Sequence, residues 1–569
     1  MNKILIHSNN TSFNQPKHFS VEEQYFFDVP LDVNDVDIYI DGELKNGKLN
    51  ELIQSADVVF IKVALSDNYL EYLGIRLAYH LRLTKSLGQK SCLPIVFIAE
   101  ESFRFLGMTA DEPSILFTEG IYLIKENEES YQKLLKWYEE DLVKPLDNFQ
   151  EFIKKINIKA PSNHLSHHSI ANEWSILRWA KVLNIQHDDA ISGINQNVEG
   201  LLYYKFLQCK FPIETDPDKA NYRIEGKGTI LYIDDEWNKG WSAVLNGLFN
   251  VSPELAKHFH VLENNFKDQN IESILRDCKT KVQATDPDLI ILDLRLSDQD
   301  FNHSNITLQF SGYKALQLIK DINPGIRVVL FTASNKVWNL IELQSAGADG
   351  FILKESPELA VTSGDTKETI RRFVSTIQEQ LRYKFEKPLF DSCSNIKKNL
   401  RFATLEENEA YKKFIKSLTK QLEVICSSIG KIDLQKKITL DIVFLACYNF
   451  LELFKDYYLK EGWDYRFYLG HDELQLKRYK FSGNFASITH QEEFVRNNSN
   501  DSPSWFITMA GLFIDYFGVS HPPHDAVARL KKISEKRNDY IHGDKLFFEP
   551  TELVMILSIL ELGTKNVKE

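Results

Sequence analysis

The chain has 569 residues, 43% of them hydrophobic and 26% charged, with a formal net charge of −13. That length exceeds what one core can organise and predicts three or four domains, and the acidic balance argues against broad non-specific nucleic-acid binding. No run of about eighteen apolar residues occurs, so no membrane span is predicted.

The first segment, Met1 to His7, is too short in its apolar part for a signal peptide and reads as a first strand. The six cysteines (Cys92, Cys209, Cys278, Cys393, Cys426 and Cys447) are scattered without a close pair. That spacing argues against zinc and for a reducing, cytoplasmic location.

Residues 1–145 carry an α/β pattern. Ile4-Leu5-Ile6, Val58-Val59-Phe60-Ile61, Ile95-Val96-Phe97-Ile98 and Ile121-Tyr122-Leu123-Ile124 read as short buried strands, with amphipathic helices predicted over 69–87 and 131–143. Residues 146–210 read as a helical connector whose apolar face includes Trp174, Leu177 and Trp179. His164, His167 and His168 precede that face. Such a cluster suits a metal or a phosphorylatable histidine, but loop histidines at a helix entry are commoner, and no acid follows at the spacing zinc would need. Residues 211–227, with Asp216-Pro217-Asp218, form a turn-rich linker.

The stretch Asp288-Leu289-Ile290-Ile291-Leu292-Asp293 reads as a strand buried on both faces that ends in a carboxylate. Three neighbours share this form. Ile230 to Ile233 runs into Asp234-Asp235, Val328 to Phe331 into Thr332-Ala333, and Phe351 to Leu353 into Lys354. In an open α/β sheet, ligands bind at the carboxyl ends of strands. Crowded carboxylates there call for a hard cation such as Mg²⁺, and a hydroxyl and an ammonium beside them suit a phosphoryl group.

With Ser311-Gly312-Tyr313, Asn323-Pro324-Gly325 and Ala346 to Gly350, this set makes residues 228–385 resemble the receiver domain of two-component response regulators. The resemblance implies a flavodoxin-like, doubly wound fold and makes Asp293 the phosphoacceptor. It implies that Asp234, Asp235, Asp293 and the backbone carbonyl of Arg295 hold Mg²⁺. Thr332 and Lys354 would contact the phosphoryl oxygens, and Phe351 would be the aromatic switch position. The implied partner is a sensor histidine kinase or a phosphotransfer protein. Two departures stand out: a longer loop around 297–310, and Lys354 followed by Glu355-Ser356-Pro357. The strand order of residues 1–145 echoes the receiver without its acids, since His7-Ser8-Asn9 follows Ile6 and Lys62 follows Ile61. Two readings of that segment stand, a degenerate receiver-like domain and an unrelated flavodoxin-like recognition domain.

Residues 386–400, punctuated by Pro388, read as a linker, and 401–569 as an all-α bundle of about five helices broken by a long loop at 462–503. Near its end stands Arg537-Asn538-Asp539-Tyr540-Ile541-His542-Gly543. The run and its bundle resemble the HEPN superfamily, many of whose members are metal-independent ribonucleases acting as dimers, while others only bind nucleotides or proteins. The resemblance implies Arg537, Asn538 and His542 as an RNA-cleaving set in a homodimer. The plainer reading makes His542 a helix C-terminal residue, Gly543 its cap and Arg537 a surface ion-pair partner. The chain therefore reads as a response regulator with a helical output domain, either nuclease or protein-contact module, or as a scaffold whose pocket is unused.

Overall fold

The computed structural model describes residues 2–567 except 10–12, 14–16, 31–34, 67, 161–166, 186–190, 193–198, 267–268, 302–308, 334–339, 357–361, 404–407, 462–466, 470–471, 474–475, 482–487, 495–502, 519–522 and 544–546. His164, residues 302–308 of the longer loop after Asp293, and Asn497 to Asp501 lie outside the described residues.

Two parallel five-stranded sheets share one topology. The first comprises β1 (Lys3–His7), β2 (Glu23–Phe26), β3 (Val58–Lys62), β4 (Ile95–Ile98) and β5 (Ile121–Ile124), in the order β2-β1-β3-β4-β5. Its helices include α1 (Val36–Asn46), α2 (Lys48–Ser55), α3 (Leu73–Leu83), α4 (Phe103–Thr109) and α5 (Glu128–Glu139). The edge strand β2 escapes prediction because its sequence, EQYF, buries only Tyr25. The helix predicted over 69–87 is shorter than expected: Tyr72 takes a left-handed φ of 45° immediately before α3, and past Leu83 the chain continues in 3-10 turns around Gly88.

The second sheet comprises β6 (Ile230–Ile233), β7 (Phe259–Val261), β8 (Leu289–Leu292), β9 (Arg327–Thr332) and β10 (Gly350–Leu353), in the order β7-β6-β8-β9-β10. Its three central strands are almost wholly buried, as expected of runs such as LIIL covered on both faces.

Between the sheets run α6 (Phe149–Lys155), α7 (His167–Val182) and α8 (Leu202–Lys210). These do not form a separate connector. Phe152, Ile153, Trp174, Leu177 and Leu202 complete the first domain's core, while Ile176, Trp179 and Val182 complete one side of the second domain's. One helix, α7, is thus held in two cores. On that side it packs against α9 (Trp241–Phe249) and α13 (Ser363–Arg382). The helices α10 (Ile271–Thr285), α11 (Ser311–Ile322) and α12 (Leu340–Ser345) belong to the opposite face.

Two expectations for the remainder are corrected. Residues 386–400 are not a linker but most of α14 (Glu386–Ala403), which buries Leu389, Cys393, Ile396 and Leu400 in the C-terminal core. Pro388 is tolerated because it falls in the first turn, where backbone N–H groups have no intrahelical partner. The C-terminal region is the helical bundle expected, but the break within it is not simply a loop. Besides α15 (Glu409–Ile429), α16 (Ile438–Tyr458), α17 (Trp505–Gly511), α18 (Pro523–Ile541) and α19 (Pro550–Lys565), the bundle carries short antiparallel strands. Most of these fall in the stretch expected to be a loop, and β14 (Lys477–Phe481) pairs with β15 (Ile488–Glu493) through a register shift at Lys480/Phe481. The labels β11 (Leu459–Glu461), β12 (Phe467–Leu469) and β13 (Asp472–Glu473) denote the small sheet before them.

Candidate functional site

Parallel register brings the ends of β6, β8, β9 and β10 together. Ile233 pairs with Leu292, Leu292 with Leu330, and Leu330 with Phe351, so the polar residues that follow converge. Asp234, Asp293 and Thr332 are fully buried and Lys354 nearly so. The Lys354 ammonium lies 2.8 Å from Asp234 Oδ2 and 2.9 Å from Asp293 Oδ2. Burial works against that charge, but Asp234 and Asp293 outweigh it and hold the lysine above its ordinary pKa. The ammonium is also 5.2 Å from the Phe331 ring centre and 5.5 Å from that of Trp241.

The remaining oxygens are held by the backbone. Asp293 Oδ1 accepts from Leu294 N at 2.5 Å and Arg295 N at 3.3 Å, while Asp234 Oδ1 accepts from Glu236 N at 2.7 Å. The Tyr232 hydroxyl, which sequence reasoning passed over, donates to Asp234 Oδ2 at 2.6 Å. Its place two residues before Asp234 on a strand puts it on the same face, a legible signal. Thr332 O accepts from Lys354 N at 2.8 Å, and Phe351 is half-buried on the face carrying α10, α11 and α12. Gly312 opens α11 hard against the acceptor strand: a Cβ there would stand 2.2 Å from Asp293 O.

Asp234, Asp235 and Asp293 can each offer an oxygen within 4.8 Å of the others. Burial, and then the neighbouring Asp234 and Asp293, push the Asp235 carboxyl up to about 9. Its Oδ1 is buried with no hydrogen-bond partner among the described residues. One ammonium among so many carboxylates leaves an orphaned acceptor, and a hard dication such as Mg²⁺ suits that vacancy of charge.

The first domain repeats the geometry with the charges exchanged. Ile6 pairs with Ile61, Ile61 with Phe97, and Phe97 with Leu123, so Lys62 stands where Asp293 does and Glu126 where Lys354 does. Gly74 confirms the correspondence, because a Cβ there would stand 2.3 Å from Lys62 O, as one at Gly312 would from Asp293 O. Lys62 Nζ and Glu126 Oε1 are 2.6 Å apart and mostly buried. Ala99 occupies the hydroxyl position, and His7 and Ser8 the acid-pair positions. Ser8 instead donates to Asp28 Oδ1 at 2.5 Å.

In the C-terminal domain, Arg537 and Asn538 lie in the last turns of α18 and His542 directly after it. The Arg537 guanidinium lies 5.3 Å from the Tyr448 ring centre and donates to Asn538 Oδ1 at 3.3 Å. Asn538 and His542 are exposed, and Gly543 takes a φ of +85°.

Residues 8–124 match the family described as inactive receiver domain, and residues 263–362 the family described as response regulator receiver domain. The second match begins beyond β6, so the acids of its first strand are supplied by the structure. A 97-residue stretch, 17% of this chain, is 32% identical to the regulatory protein LuxO of Vibrio cholerae, of which it covers 19%. The chain thus spans about a fifth of that relative's length. The crystal structure of NtrX from Brucella abortus is 16% identical over 34% of each chain, with a TM-score of 0.19. The chain therefore carries two receiver domains, an inactive one near its start and a response-regulator one at its centre.

Proposed function

We propose that this protein is a response regulator of a phosphorelay, phosphorylated on Asp293 and acting through its C-terminal helical domain. The observation that carries the reading is the contact of one buried ammonium with two carboxylates, Asp234 and Asp293, from adjacent strand ends. Asp293 Oδ attacks phosphorus on a phosphohistidine of a sensor kinase or phosphotransfer protein. The P–N bond breaks, an acyl phosphate forms, and the imidazole leaves carrying a proton. Mg²⁺, when bound, neutralises the charge gathered on the carboxylates and phosphoryl oxygens. Asp234, Asp235, Asp293 and the Arg295 carbonyl would hold it. Lys354 and Thr332 receive the new oxygens, and Phe351 on β10 responds to the movement of Thr332.

Acetyl phosphate with Mg²⁺ is expected to give an acid-stable, base-labile phosphoprotein. Asp293→Asn should lose all of the label, and label persisting in that variant would overturn the assignment.

For the output, the half-buried Arg537 and the exposed Asn538 and His542 at one end of α18 suit the metal-free RNA cleavage of HEPN ribonucleases, completed across a homodimer. The positive φ of Gly543 and the Arg537–Tyr448 stack favour a second reading, in which the same end only caps a helix in a protein-contact module. Overexpression of wild type beside His542→Ala separates them. RNA degraded only by the wild type supports cleavage, and identical RNA integrity supports the module.

A further inference from the structure

Helix α7 reaches the phosphorylation site from outside its sheet. Ser175 Oγ donates to the Glu355 carbonyl at 2.7 Å. Arg178 Nε lies 3.2 Å from Glu355 Oε2 and donates to Thr366 Oγ1 at 2.7 Å, while its Nη2 donates to the Thr362 carbonyl. Thr366 in turn donates to Glu355 Oε2 at 2.9 Å. Glu355 is the residue after Lys354, so its main chain and its side chain are both gripped by one helix. One turn earlier, Asn172 donates to Glu236 Oε2 and accepts from Trp241 Nε1 at 3.1 Å. Glu236 follows Asp235. Trp179 packs beneath, 5.3 Å from Trp241 and 5.7 Å from Phe331, the two rings that face the Lys354 ammonium.

A helix that merely filled space would present apolar groups here. Asn172, Ser175 and Arg178 are all buried, and burying a guanidinium is costly unless its partners are specific. Those partners flank the pocket on both sides.

We propose that Ser175 and Arg178 are positioning residues which, through Glu355, hold Lys354 on Asp234, so that docking of α7 and occupation of Asp293 by a phosphoryl group oppose one another. The inference rests on the phosphoacceptor reading of Asp293. A phosphoryl group places new anionic oxygens beyond Asp293, and the ammonium that follows them draws on Glu355, which α7 restrains. Coupling of this kind is reciprocal: whatever phosphorylation costs the docking of α7, loosening α7 returns to phosphoryl binding. Trp174 and Leu177 on the same helix lie in the inactive receiver's core, so the first domain feels the change.

The test is titration of the full chain with beryllofluoride and Mg²⁺, followed by tryptophan fluorescence, with hydrogen exchange read over α7. The half-saturating concentration should fall about fivefold or more in Ser175→Ala and Arg178→Gln, the lower end of ordinary coupling between sites. In the wild type, beryllofluoride should speed exchange of the α7 amides. A purely structural brace would lower thermal stability without moving half-saturation. Unchanged half-saturation in Ser175→Ala, which removes a single hydroxyl and so keeps the test open if Arg178→Gln fails to fold, overturns the inference while leaving Asp293 as acceptor. A wild type that does not respond to beryllofluoride overturns both.

Discussion

His80 shows how much one side chain can decide in this chain. It is fully buried on α3, with Nε2 2.9 Å from Asp37 Oδ1 and Nδ1 3.1 Å from the Lys205 ammonium. Lys205 can donate only to a lone pair, so the imidazole is neutral and carries its proton on Nε2. Burial, then Lys205, lower its pKa from 6.5 to about 4. Between those values the unfolded chain binds a proton that the folded one refuses. Stability is therefore expected to fall as pH drops from about 6.5 towards about 4, by on the order of 3 kcal/mol for this group. Urea unfolding of the first domain at pH 7 and pH 5 measures the loss, and His80→Gln should flatten it. At this scale the central site was legible, because Asp234, Asp235, Asp293, Thr332 and Lys354 each close an apolar strand. Glu126 was not, since only the pairing register sets it opposite Lys62. The same holds for Arg178 and Glu355, 177 positions apart.

Among elements, α14 carries the clearest expectation. It packs chiefly against α19 and α15, and Ile396 sits fully buried in their shared core. Ile396→Ala should cost about 2–5 kcal/mol, read as an earlier urea transition of the C-terminal domain with the receiver's own transition unmoved. An unchanged midpoint would return residues 386–400 to the status of a tether. Pro388 misled because a proline read without its neighbours signals a break, whereas in a first turn it is neutral. Long, strongly periodic helices such as α15 and α16 were legible as members of the bundle. The strands β14 and β15 were not, because KRYKF and ITHQEE offer too little apolar alternation to stand out.

For the whole molecule, the two receiver domains share strand order and the glycine contact at the third strand's end, yet among the described residues only the central one gathers three carboxylates at its strand ends. Exhaustive treatment with acetyl phosphate should accordingly add the mass of a single phosphoryl group per chain; a second would contradict the exchanged pair in the first domain. Sequence periodicity showed both α/β units but not that α7 is common to them, since a helix serving two cores looks from its sequence like any helix with a wide apolar face.

The Lys62–Glu126 pair has a further consequence. On the proposed reading, the balancing cation of the central domain arrives from solution and the acceptor's load turns over, so its state would follow the chemistry of the cell. In the first domain both partners of the pair belong to the chain itself, so chelators, phosphodonors and phosphatases are expected to leave it unchanged. The same proposal thus gives the tandem one half that keeps time and a twin that stands as a stopped clock.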